Sequence, residues 1–253
     1  MRKRSMRFFN LFTGIQRFFL LLYLALTPPY NLKTLFGLIG DQILDIGIIS
    51  VPLVLVISAF AGFVTAIQGA YQLTPEIPRY FLGASVEKIM VMELSPVLVG
   101  LIVTGRASSS IAAELGAMRA TEQIDALEVM AISPVRFLVR PRVIAGAISL
   151  PLLTIISIVV ALGSALFLSS SILHVPIDTF VYGIRSYFQS LDLIGGLTKS
   201  FFFGIILSSL GCFYGLEVRG GAKEISQAAT SAVVLSSIMI LVFDFLVASL
   251  FYA

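Results

Sequence analysis

The residues able to do chemistry are few, and they sit in unusual surroundings. Glu87, Lys88 and Glu93 lie in "FLGASVEKIMVMELSPVLVGLIVTG", and Asp244 interrupts "VVLSSIMILVFDFLVASL". Each charge costs about 2.5 kcal/mol or more at the centre of a hydrocarbon span, so each must face a partner charge, a cavity or a bundle interior. A second polar concentration, "AAELGAMRATEQIDALEVMAISP" at 112–134, holds four of the fourteen acids. Nothing accompanies these groups that would make a hydrolytic or redox centre. His174 and Cys212 are the only histidine and cysteine. Neither has the further His or Cys that a metal set needs. No intramembrane Ser–His or Asp–Asp constellation supplies a nucleophile and base. No Gly-rich phosphate loop is present. The pattern points away from an enzyme, from a resident metal or cofactor and from nucleic acid. Any ATP chemistry must belong to another chain.

The elements that position these groups follow from composition. The 253 residues are 58% hydrophobic and only 12% charged, with a mean hydropathy of +1.00. Soluble domains run nearer a quarter charged. The excess lies in long runs, which makes this an all-α integral membrane protein. Five stretches, 46–72, 81–104, 143–171, 197–216 and 229–252, are long enough to cross about 30 Å at 1.5 Å per residue. They form a five-span bundle over 46–252 within a single membrane domain, 1–253. Residues 1–45 form an interfacial N-terminal helical region. Its basic tip suits headgroups and its Phe and Leu suit the acyl boundary. Arg17 breaks the apolar run, and Pro28-Pro29 ends it without a small-residue cleavage site, so the segment reads as retained. With the amino end in the cytoplasm, that side carries thirteen Lys and Arg against four, namely Arg79, Lys88, Arg185 and Lys199. The positive-inside bias therefore puts residues 105–142 in the cytoplasm and the carboxyl end outside. Small residues recur in the spans ("SAFAGFVTA", "ALGSALFLSSS") and permit close helix packing.

Within the cytoplasmic loop 105–142, Thr121 is expected to cap a short helix whose first turn holds Glu122 and Asp125, where the dipole favours negative charge. Ile124, Leu127 and Ala131 share one face, and Glu122, Asp125 and Glu128 another. Ser133-Pro134 ends it. An apolar stripe rimmed by acids reads as a docking surface.

The stretch "GRASSSIAAELGAMRATEQIDALEVMAISP" resembles the signature of the MlaE family of permeases. The match runs through Gly105-Arg106, Ile111 to Gly116, Met118-Arg119 and Glu122 to Leu127. Ser108 and Ala117 depart from the family pattern, small residue for small. The resemblance implies the permease half of an ATP-driven ABC-type lipid transporter in the bacterial inner membrane, with phospholipid as the expected cargo. It implies a homodimer enclosing a lipid pocket. It also implies a cytoplasmic ATPase that binds ATP and Mg, a periplasmic MCE-domain protein and, as a further candidate, a small cytoplasmic accessory protein. The loop becomes a coupling element seated on the ATPase, with Glu114, Arg119, Glu122, Gln123 and Asp125 as polar contacts and Ile124 and Leu127 as apolar anchors. Glu93 and Leu94 match the family's "EL-x-P" stretch, whose glutamate lines the lipid pocket. Gln68 and Tyr71, at the outer end of the first span, are placed on the same path by position alone.

Antiparallel depth counting sets Asp244 beside residues 88–91, so Lys88 is the predicted counter-ion of Asp244. Glu93 has no partner at matching depth in this count. Two other readings stay open: an ion-coupled transporter using Glu93 and Asp244 as a relay, and a membrane scaffold for an MCE assembly. The odd span count and the lack of internal repeats weigh against the first.

Overall fold

The architecture is that of a computed structural model, which describes residues 16–18, 20–24, 32–74 and 76–252. Most of the expected interfacial segment at 1–30 lies outside these residues. The described residues contain helices and no strand. In chain order we label them α1 (Leu32–Ile46), α2 (Val51–Gln72), α3 (Phe81–Ile89), α4 (Ser95–Val103), α5 (Ser109–Ala120), α6 (Gln123–Val129), α7 (Arg140–Ser171), α8 (Ile177–Tyr187), α9 (Ser190–Leu216) and α10 (Ala222–Tyr252).

Four stretches are long and apolar enough to cross a membrane: Leu35–Gln72, Val135–Ser171, Ser190–Leu216 and Ala222–Phe251. The other predicted span, 81–104, is helical throughout and contributes Leu82, Val86, Met90, Val99 and Val103 to the buried interior. It belongs to a continuous helical rod from α3 to α5. Two π-helical turns, Met90–Leu94 and Thr104–Ser108, join its three α segments. The first of these turns lies just before Pro96. Proline cannot donate to the carbonyl four residues back, so the preceding turn widens and the Ser95 N–H donates to Met90 O instead. A third π turn, Val135–Val139, precedes Pro141 in the same way, with the Arg140 N–H donating to Val135 O.

The helices pack around α7 and α9. The first of these lies along α1, α2 and α9, and α9 also lies along α5 and α10. Two apolar cores result. One gathers Val54, Val99, Val103, Ile111, Leu150, Phe203 and Ile240. The other gathers Ala66, Leu82, Met90, Ala161 and Phe180. Backbones come close where a side chain is missing: a Cβ on Gly204 would lie 2.2 Å from Gly146 O, and one on Gly146 would lie 2.6 Å from Gly204 O. With no hydrophobic drive between helices inside lipid, such contacts are what holds α7 to α9.

Gly204→Val would press carbon into a neighbouring backbone that cannot give, at a cost of about 1–3 kcal/mol or more. It should lower the thermal midpoint of the detergent-solubilised protein, whereas Gly163→Ala, mid-helix and with nothing within 4 Å of the new carbon, should leave it unchanged or raise it slightly.

Candidate functional site

Lys199 lies inside the bundle with a relative exposure of 0%. Its ammonium donates to Glu93 Oε2 of the first π turn in a charge-assisted hydrogen bond. On its other side Asp244 Oδ1 of α10 is 3.0 Å away. Three helical segments thus meet through one cation. Glu93 stands between Met90 of one apolar core and Val99 of the other, and its side chain remains 48% exposed. The cluster therefore reaches the flank of the bundle through Glu93 while Lys199 stays sealed. It holds no nucleophile poised beside a base. What it can do is hold a carboxyl group oriented in apolar surroundings, where it can accept a hydrogen bond from a polar ligand group.

The predicted Lys88–Asp244 pair is not formed. Lys88 donates instead to Asp192 Oδ2 at 2.7 Å, and Asp244 takes Lys199. The cause is the start of α9. Hydropathy begins this span at 197 and sets Lys199 at its outer edge. The helix begins at Ser190, and seven residues earlier is about 10 Å of rise. That carries Lys199 to the depth of Glu93 and Asp244, and Glu93 gains the counter-ion it was expected to lack. Asp192, which precedes the apolar run, is buried in the first turn of α9.

Beside this second pair, Glu87 is buried with both carboxylate oxygens unbonded among the described residues. Leu94 is half-buried next to Glu93. Gln68 and Tyr71 are exposed near the end of α2, Tyr71 at 92%. They share a surface-facing position rather than a place in the charge cluster. His174 takes a left-handed backbone conformation, with φ 52°, in the turn before α8, and its carbonyl accepts from Arg79 Nη1 at 3.2 Å.

The loop between α5 and α7 is built tightly. Arg106 of the second π turn donates to the Asp45 and Ile46 carbonyls and, at 2.9 Å, to Ser50 Oγ. It thereby satisfies the orphan carbonyls at the end of α1. Arg142, buried at the start of α7, reaches Glu114 Oε1 at 2.8 Å and the Leu138 carbonyl at 2.8 Å. Arg119 and Asp125 bridge the turn between α5 and α6 at 2.6 Å. Three expectations change here. Thr121 does not cap α6, because its hydroxyl donates back to Ala117 O at 2.8 Å and closes α5. Glu122, in the left-handed conformation with φ 60°, makes the corner instead. The third concerns the apolar face. Ile124 is 2% exposed and Leu127 packs on the same core, so they anchor α6 to the bundle and are not available to a partner. The exposed large apolar residues of this segment are Val129, at 88%, and Met130, at 60%. The helix ends within a turn of them, so its outward face runs past the stripe that periodicity picked out. Glu122, Gln123 and Glu128 remain exposed, while Glu114 and Asp125 spend part of their charge on internal arginines.

Comparison with known proteins places this geometry. Residues 39–250 match a family model described as Permease MlaE. The chain is 36% identical over 254 residues, 99% of its own length and 95% of the relative's, to a Rickettsia bellii protein named "Probable ABC transporter permease protein". It is 31% identical over 244 residues, 96% of its length and 94% of the relative's, to the Haemophilus influenzae "Intermembrane phospholipid transport system permease protein MlaE". It is 34% identical to the Arabidopsis thaliana chloroplast protein TRIGALACTOSYLDIACYLGLYCEROL 1, over 80% of this chain and 58% of that one.

Removing one member of a buried ion pair strands the other, at a cost of about 3–5 kcal/mol. Lys199→Met should therefore sharply lower the heat stability of the detergent-solubilised protein. The triple change Lys199→Met, Glu93→Gln, Asp244→Asn should recover most of the loss, as read by size-exclusion after heating. Equal damage in the two proteins would dissolve the cluster as a unit.

Proposed function

The chain belongs to the MlaE permease family, and from that premise we propose that it is the membrane subunit of an ATP-driven lipid transporter with a phospholipid as cargo. It works as a homodimer of five-span protomers in a bacterial inner membrane, with the amino end in the cytoplasm and the carboxyl end in the periplasm. A separate ATPase, binding ATP and Mg, seats on α6, and an MCE-domain protein receives or delivers lipid outside. The names of the relatives support the cargo and the ABC partnership. The charge balance of the loops supports the orientation.

The observation that carries the reading is the division of α6. Ile124 seals one face to the bundle, while Val129 and Met130 stand out on the other beside Glu122, Gln123 and Glu128. A helix held from behind and apolar in front is a contact built to be pushed. The push has a route: Arg119–Asp125 joins α6 to α5, and Arg142–Glu114 joins α5 to α7. At the far end of that route Glu93, clamped by Lys199, offers its exposed carboxylate to the headgroup or glycerol hydroxyls of a lipid. Leu94, with Gln68 and Tyr71 at the outer end, lies toward the acyl path.

The meeting of Glu93 and Asp244 through Lys199 also favours a proton relay, the second reading. A transporter dead with an ATPase-inactive partner and indifferent to a proton gradient would exclude it.

Val129→Asp with Met130→Asp should preserve the fold, because both side chains are exposed, and should cut co-purification of the ATPase more than tenfold, the loss expected from apolar anchors at the centre of an interface. Undiminished ATPase recovery and lipid transport would move the docking surface elsewhere. Independently, Glu93→Gln should lower the amount of lipid that mass spectrometry finds bound to the purified protein several-fold, and normal lipid retention would take Glu93 off the path.

A further inference from the structure

Where the amino-terminal segment docks on the bundle, a cavity of about 440 Å³ opens between that segment, the end of α5 and the α9–α10 turn. Arg17, Arg119 and Arg219 line it against a single carboxylate, Glu217, while Leu21 and Phe213 supply an apolar wall. Glu217 approaches Arg17 at 3.5 Å, and Arg119 commits one nitrogen, Nη1, to Asp125. No ion pair forms at the Arg219 guanidinium among the described residues. Its backbone N–H donates to Glu224 Oε2 at 3.2 Å, which fixes the turn that presents it. Gly220 leaves room for that carboxylate, since a Cβ there would lie 2.6–2.9 Å from its atoms. Asp125 answers one nitrogen of Arg119 and Glu224 takes the Arg219 N–H, which leaves the Arg219 guanidinium and the remaining Arg119 nitrogens as donors in a cavity they both line.

We propose that this cavity binds a phosphate-bearing anion, and that its occupant is the headgroup of an anionic phospholipid from the adjoining leaflet. Guanidinium forks match phosphate oxygens in geometry and in charge. Basic pockets between helices at the cytoplasmic membrane face recognise such headgroups. The apolar wall decides between lipid and free phosphate. Leu21 is buried at the edge of the main core, and Phe18 meets Phe213 edge-on at 5.7 Å, so the pocket floor suits the first carbons of acyl chains. The site lies away from Glu93 and is not the transport path. Arg119 belongs both to this cavity and to the bridge that holds α6. A bound headgroup would therefore compete with or reinforce the Arg119–Asp125 contact, tying leaflet composition to the coupling element. The leaflet assignment rests on the orientation proposed above, but the binding does not.

The test uses the full chain in detergent, with dioctanoyl phosphatidylglycerol, dioctanoyl phosphatidylcholine and inorganic phosphate as probes in native mass spectrometry. The unaltered protein should retain phosphatidylglycerol well above phosphatidylcholine. Binding should weaken about fivefold for each guanidinium removed in Arg219→Gln and in Arg17→Gln with Arg219→Gln, and only partly in the Arg→Lys pair. Millimolar inorganic phosphate that displaced the lipid and bound as tightly alone would overturn the lipid occupant. Phosphatidylglycerol binding unchanged in Arg219→Gln and in the double variant would overturn the site. Arg219 is exposed, so its single variant carries the test even if the double variant folds poorly. A negative result leaves the transport reading intact, because Glu93 and α6 are read by lipid retention and ATPase recovery.

Discussion

An ammonium ion cannot be left alone in a low-dielectric interior. Lys199 is fully enclosed, so the positions of Glu93 and Asp244 are not free parameters of the fold. Desolvation of the cation costs several kcal/mol, and only closely placed carboxylates offset it. Three elements distant in the chain must therefore share one depth: the π turn at Met90–Leu94, α9 and α10. Small residues then set how closely they may lie, as where Gly146 meets Gly204. Between them, charge and bare backbone determine register in a bundle whose greasy surfaces would otherwise slide.

The same economy of charge organises the opposite end. Arg106 ends α1, Arg142 holds α5 to α7, and Arg119 closes the corner into α6. Each arginine meets carbonyls or a carboxylate from a different element, so the loop is a jointed extension of the spans rather than a tether. Force applied at Val129 and Met130 meets little slack before it reaches α7, the helix against which most of the bundle is packed. The amino-terminal segment adds another contact, through Arg17 and Phe18, at the base of α9.

Much of this was legible in the residues. Hydropathy located the long helices, and the motif around Glu114 to Leu127 identified the family before any geometry was known. Glu93 stood out because an acid in an apolar run needs a reason. What could not be read was the length of α9 beyond its apolar part. "SLDLIGG" looks like a connector because its glycines and Asp192 depress hydropathy, yet it is the first two turns of the helix. That single misplacement assigned Asp244 to Lys88 in place of Lys199 and left Glu93 without its counter-ion. The face of α6 was misassigned for a related reason. Periodicity shows which residues share a side, and Ile124 and Leu127 do, but it does not say whether that side meets the chain's own core or another protein. Thr121 likewise has the chemistry of either cap, and the left-handed Glu122 decides between them.

The π turns have a consequence for how this molecule tolerates change. Each winds one additional amino acid into the rod between Phe81 and Ala120, so the faces on either side are offset by roughly one residue, or about 100°. Glu87 can thereby lie toward one core and Glu93 toward another set of neighbours without any break in the backbone. Losing a single codon within Met90–Leu94 would rewind the turn to ordinary pitch and swing the whole downstream half around its axis. In this stretch the number of residues is as much a part of the design as their identity.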